Sequence, residues 1–170
     1  MHILKKALLI IALLATTLMN VQAASFDQRI PMRVTKASTF YVGGYLDGFG
    51  AVDMMVDTGS SYTSINEAAL AVLKENGAVT YVKDLSGTLA DGTHKTVPVY
   101  RISKMSIGRA CSLRNVEVAV FPGHTRYILG LSALKMTAPF AFSLDPATLL
   151  LSNCPESAAI PGNDLSLNAE

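Results

Sequence analysis

The chain is poor in the side chains that most metal and nucleophilic sites draw on, with two cysteines and three histidines among 170 residues. Past the N-terminal region the histidines are His94 and His124 alone. Neither has companions at a metal-ligand spacing, so no metal site is expected. No Gly-x-Ser-x-Gly elbow surrounds a serine, and no Cys–His or Ser–His pair suggests a covalent nucleophile. An Asn-x-Ser/Thr sequon is also missing. A glycosylated eukaryotic surface protein is therefore unsupported, and a bacterial periplasm fits at least as well. There is no basic stripe for nucleic acid, no internal repeat and, after residue 23, no apolar run long enough to span a bilayer.

What is present begins with an export signal. Lys5 and Lys6 precede the apolar run Ala7–Ala15, and Val21-Gln22-Ala23 supplies small residues where a signal peptidase reads. Residues 1–23 are therefore expected to be a cleaved signal peptide, which implies a periplasmic or secreted protein. A membrane-tethered one results if the run stays attached. Without these residues 12 basic side chains remain against 13 acidic, a formal charge of −1. Stable membrane insertion is not expected of such a mature chain. Its length suits one domain with a real core. Both cysteines, Cys111 and Cys154, lie in it. In an oxidising compartment the pair is expected to form a disulfide, with two separate buried thiols as the alternative.

Short strand-like runs broken by Gly and Asp turns predict an all-β domain over residues 24–154. Residues 30–34 read as a first strand, with Pro31 on an edge. Residues 39–46 and 49–56 flank Asp47-Gly48, a strong hairpin signal. A short helix follows over 64–73, with Ser64 as its cap, Glu67 at the capping-box spacing and a stop near Asn76-Gly77. Residues 79–82 and 97–102 form the base of a long hairpin, 105–107 and 116–121 are further strands, and residues 140–144 and 148–152 flank Asp145-Pro146-Ala147 as a second hairpin. Residues 155–170, rich in Pro, Gly, Asn, Asp and Ser, are expected to be a disordered tail.

Against this background one segment stands out. Val56-Asp57-Thr58-Gly59-Ser60 places an acid at the end of a hydrophobic strand and directly before a tight turn. An ordinary turn does not usually follow three consecutive apolar residues so closely. Asp47, Asp53, Asp84, Asp91 and Asp145 have no such setting and are expected to be solvated.

With Leu89-Ala90-Asp91-Gly92-Thr93 in a later hairpin and Ile128-Leu129-Gly130 before a short C-terminal helix, the order of motifs resembles the retropepsin-like aspartic proteases. The resemblance covers about residues 30–153 and implies a closed β-barrel with one or two short helices. It also implies an endopeptidase acting on peptide or protein substrates without a cofactor. Asp57 would be the catalytic acid/base. The motif occurs once, so the two-carboxylate site of that family needs a homodimer, in which the pair shares a proton. One member activates water while the other donates to the scissile carbonyl.

The resemblance further implies that Thr58 joins the two active-site loops and that Gly59 turns beneath the carboxylate, where a Cβ would intrude. Ser60 would donate to the outer oxygen of Asp57. Ala90, Asp91 and Gly92 would belong to the substrate-covering flap, whose acidic tip departs from the apolar viral pattern. Ile128, Leu129 and Gly130 would pack under the active site. A catalytically silent binding or dimerisation module on the same fold is the alternative.

Overall fold

The computed structural model describes residues 25–88 and 91–155. The expected signal peptide, Ala90, and the expected tail from residue 156 onward lie outside the described residues. The strands are β1 (Gln28–Pro31), β2 (Arg33–Val34), β3 (Phe40–Leu46), β4 (Gly50–Val56) and β5 (Thr63–Asn66). Helix α1 (Glu67–Glu75) comes next, then β6 (Val79–Thr88), β7 (His94–Ile107), β8 (Cys111–Phe121) and β9 (Tyr127–Leu129). Helix α2 (Leu131–Leu134) and a 3₁₀ turn (Lys135–Thr137) lead into β10 (Phe140–Leu144) and β11 (Ala147–Leu151).

Two sheets share this order. The larger runs β2-β3-β4-β9-β5-β8-β7-β6, and a further pairing of β3 with β7 closes six of its strands into a barrel. The smaller runs β1-β11-β10 and ties the two ends of the fold together. All-β character and barrel closure are as expected.

The barrel follows from alternation. In β3 and β4 every second residue points inward, burying Val42, Leu46, Val52 and Met54. The loop at Asp47-Gly48 gives the hairpin its turn, with Gly48 at φ +84°. Antiparallel pairing with β3 holds β4 as far as Met55, and parallel pairing with β9 carries it to Val56, one residue short of Asp57. Helix α1 buries Ala69, Leu70 and Leu73 at one-turn spacing against the barrel. It ends at Asn76 with Gly77 at φ +63°, the left-handed stop that glycine accepts at least cost.

Several boundaries differ from expectation. Residues 30–34 are not one strand, because β1 pairs with β11 in the small sheet while β2 pairs with β3 in the barrel. Ser64 does not cap α1. It is buried within β5, and Asn66 caps instead, its Oδ1 accepting the Ala69 N–H at 2.9 Å. The long hairpin is more continuous than read, since β7 runs unbroken for 14 residues from the tip back into the barrel. Asp53 is only partly solvated, its side chain 37% exposed. It pairs with Arg33, and its second oxygen is buried.

Cys111 and Cys154 are joined, with Cα atoms 4.8 Å apart and a sequence separation of 43. The chain-entropy argument assigns such a loop about 4 kcal/mol of stabilisation. The Cys111→Ser/Cys154→Ser double variant is accordingly expected to lose up to about 4 kcal/mol in denaturant unfolding. Alkylation of the wild-type protein without prior reduction should modify neither cysteine. Two readily alkylated thiols would contradict the bond.

Candidate active site

Asp57 sits where β4 leaves the barrel, and four backbone contacts set its loop. The Asp57 N–H donates to the Leu129 carbonyl at 3.1 Å, continuing the parallel pairing of β4 with β9 by one residue. The Gly59 N–H donates to Asp57 Oδ1 at 2.8 Å and the Ser60 N–H to the Asp57 carbonyl at 3.3 Å. The Leu131 N–H closes the loop onto the Ser60 carbonyl at 2.9 Å. Asp57 itself remains half-buried and Thr58 exposed. A carboxylate is thus fixed in direction yet open to a ligand or to a partner.

Both glycines of this loop and its support are tightly enclosed, and Gly130 is sterically required. A Cβ on Gly59 would lie 3.1 Å from Asp57 Oδ1, crowding the carboxylate whose hydrogen bond the glycine amide supplies. At Gly130 a Cβ would fall 2.3 Å from the Tyr62 carbonyl oxygen and 2.9 Å from that of Ser60. The expected role of Ile128-Leu129-Gly130 under the loop is therefore more specific than packing. Leu129 is fully buried and Ile128 half-buried, while Gly130 lets two backbones touch.

Ser60 does not serve Asp57 in this chain. Its Oγ donates to the Tyr62 carbonyl at 2.7 Å, which tightens the loop on itself.

Three side chains that sequence reasoning passed over complete the support. Thr63, buried at the start of β5, accepts the Gly130 N–H on its Oγ1 at 3.2 Å. Ser132 accepts the Thr63 N–H at 2.8 Å and donates to the Glu117 carbonyl of β8 at 2.7 Å. Asn66, besides capping α1, donates from Nδ2 to the Thr125 carbonyl at 3.0 Å. The only local sign of these roles is a run of small hydroxyl residues just beyond the motif. Their partners lie about 60 residues away in sequence, beyond the reach of periodicity.

The β6–β7 hairpin leaves the barrel beyond Val97 and is exposed at its described end. Its neck is held by Ser86 Oγ with Thr96 Oγ1 at 2.8 Å and by Thr88 Oγ1 with His94 Nδ1 at 3.1 Å. Asp91 accepts from the Thr93 hydroxyl at 2.7 Å and the Thr93 N–H at 2.9 Å. The Thr93 hydroxyl, then its amide, hold the Asp91 carboxyl below the usual aspartate range. Gly92 takes φ +83° to make that turn. Asp91 and Gly92 are thus adjacent at the tip, with Asp91 engaged by its own turn.

One contact links the hairpin to the Asp57 loop. Lys83 of β6 places Nζ 5.6 Å from the centroid of the Tyr62 ring, and its hydrogen bond with Tyr62 raises it above the ordinary lysine value. Asp91 and Asp57 do not share a hydrogen bond partner.

Because Gly130 meets backbone rather than a movable side chain, Gly130→Ala is expected to cost about 3 kcal/mol of stability. Thr63→Val, which strands the buried Gly130 N–H, should cost about 1–3 kcal/mol. Urea melts of the two variants measure both, and wild-type stability for either would contradict this account of the loop.

Residues 42–136, more than half of the chain, match the family described as "gag-polyprotein putative aspartyl protease". A similar solved structure is a retropepsin-like aspartic protease from Rickettsia conorii, 17% identical at a TM-score of 0.54. The alignment covers 76% of this chain and 96% of that one, a likeness of fold. No curated protein sequence matches significantly. The matched stretch contains Asp57 with its loop and the Leu129–Ser132 segment beneath it, and the chain belongs to the retropepsin-like aspartyl protease family.

Proposed function

We propose that the protein is an aspartic endopeptidase that works as a homodimer, with Asp57 from each copy forming one site. The observation that carries this reading is the loop itself. A half-buried carboxylate is aimed by the Gly59 amide and braced on Leu129 and Leu131. Nothing in an ordinary turn calls for that much support. With two such carboxylates face to face, one stays ionised and the other protonated, because like charges at contact cannot both persist. The ionised Asp57 takes a proton from water as the oxygen attacks the scissile carbonyl carbon. The protonated one donates to the carbonyl oxygen as it gains charge. The tetrahedral intermediate collapses when the leaving nitrogen is protonated and the C–N bond breaks. Water supplies the nucleophile, so no metal is required.

Support for self-association comes from the small sheet. Strand β10 is its open edge, and Phe142 and Leu144 project from it, the latter 70% exposed. Met136 is exposed in the turn just before it. An apolar, unpaired edge invites a second copy. The disulfide fits an oxidising compartment, which favours export. N-terminal sequencing of the exported protein should begin at residue 24, whereas a retained Met1 would favour a membrane tether.

Asp57→Asn preserves shape while removing the ionisable group from both halves. Peptide hydrolysis is expected to fall by about two to four orders of magnitude, the scale of a general acid–base group. Folding should be retained or improved. Wild-type specific activity should also fall on dilution through the dimer dissociation constant. An Asn variant with wild-type peptidase activity would reduce Asp57 to a turn residue. A fold that binds without cleaving would then be the better reading.

A further inference from the structure

A groove of about 510 Å³ lies away from Asp57, on the outer face of the β3–β4 hairpin. Gly43 and Ala51 keep its floor low, with Val52 and Asp53 beside them. One wall is the turn Gly108–Ala110, and the other is β1, with all four residues from Gln28 to Pro31 facing in.

Among the described residues that wall is an unused strand edge, since β1 pairs with β11 alone. The Met32 N–H donates to the Ala147 carbonyl at 2.9 Å, and the register places Ile30 opposite Leu149 and Gln28 opposite Leu151. Antiparallel pairs alternate between bonded and non-bonded. Ile30 and Gln28 therefore spend their backbone groups on β11. The Arg29 N–H and the Arg29 and Pro31 carbonyls point the other way, toward the groove.

The disulfide decides what lies nearest. Asn153, at φ +49°, turns the chain after β11, and Cys154 is bonded to Cys111. Cys111 directly follows Ala110, a residue of the groove wall. The chain beyond Pro155 is thus covalently anchored at the rim. At about 3.3 Å per extended residue, four to six residues reach about 13–20 Å, enough to run alongside β1.

The composition of that segment suits the site. Residues 156–170 contain Glu156, Asp164 and Glu170 with no lysine or arginine, and exposed Arg29 stands on the groove wall while Asp53 is paired with Arg33. Ala158-Ala159-Ile160 offers small apolar side chains to a floor built from Gly43 and Ala51. We infer that this groove is the seat of the chain's own C-terminal segment, with residues near 157–161 added as a strand along the free edge of β1. The inference is independent of any peptidase activity.

Amide exchange at Arg29 tests it in the folded protein. A chain ending at Pro155 keeps both cysteines, and the full-length Ile160→Asp variant keeps every described residue. In both, the Arg29 amide should exchange at least about tenfold faster than in the wild type. A synthetic peptide of residues 156–170 should bind the shortened chain, restore that protection, and fail to bind the full chain. Equal Arg29 exchange in the wild type and in Ile160→Asp would overturn the inference. So would protection in the shortened chain that grows with protein concentration, which would make a second copy the occupant.

Discussion

The contact on which the site depends is the close approach of two backbones, the loop after Asp57 and the segment Leu129–Leu131. Parallel pairing of β4 with β9 brings them side by side, and Gly130 allows them to touch. Hydrogen bonds from Asp57 to Leu129, from Leu131 to Ser60 and from Gly130 to Thr63 then fix the loop from three directions. Because each is a buried or half-buried backbone group, leaving any unpaired would cost more than the bond contributes. The Gly59 amide of its own turn aims the carboxylate, and the barrel core holds that turn in place.

The same logic extends outward. Thr63 leads through Ser132 to the Glu117 carbonyl of β8, and Asn66 and Glu67 pin the loop at 122–126 to the start of α1, through the Thr125 carbonyl and the Gly123 amide. Around the Asp57 loop stands a scaffold of small polar side chains, each spending its hydroxyl or amide on a distant backbone atom. The small sheet and the disulfide gather both ends of the fold near one another. Rigid support at the acid, an exposed hairpin above Val97 and an open apolar edge at β10 are separate parts of one molecule. In the proposed reading the first two serve the cleavage of peptides and the third the meeting of two copies.

Much of this was legible in the residues. Asp47-Gly48 marked the first hairpin and Asn76-Gly77 the end of α1, because turn and cap chemistry is local. Asp57 stood out by its place at the end of an apolar strand before a tight turn, whereas Gly130 could be named only through the resemblance to the family. Most of the failures share a cause. Ser64 looks like a cap until β5 pairs in parallel with β8, which places it inside a strand. Residues 30–34 look like one strand until two sheets claim them. Asp53 looks solvated until Arg33, 20 residues away, pairs with it. Ser60 could equally serve its acid or its loop, and only the path of Tyr62 decides. Long-range pairing, absent from any local window, settled all but Ser60, which the local course of its own loop decided.

The central claim is that two copies of Asp57 make one catalytic site, and mixing tests it most directly. Wild-type and Asp57→Asn chains combined at constant total concentration should exchange partners and form heterodimers holding a single ionisable carboxylate. If those heterodimers are inactive, peptidase activity should follow the square of the wild-type fraction, so an equal mixture retains about a quarter of the activity. Activity that falls in simple proportion to the wild-type fraction, after subunit exchange has been verified, would mean that each chain works alone and would contradict the account.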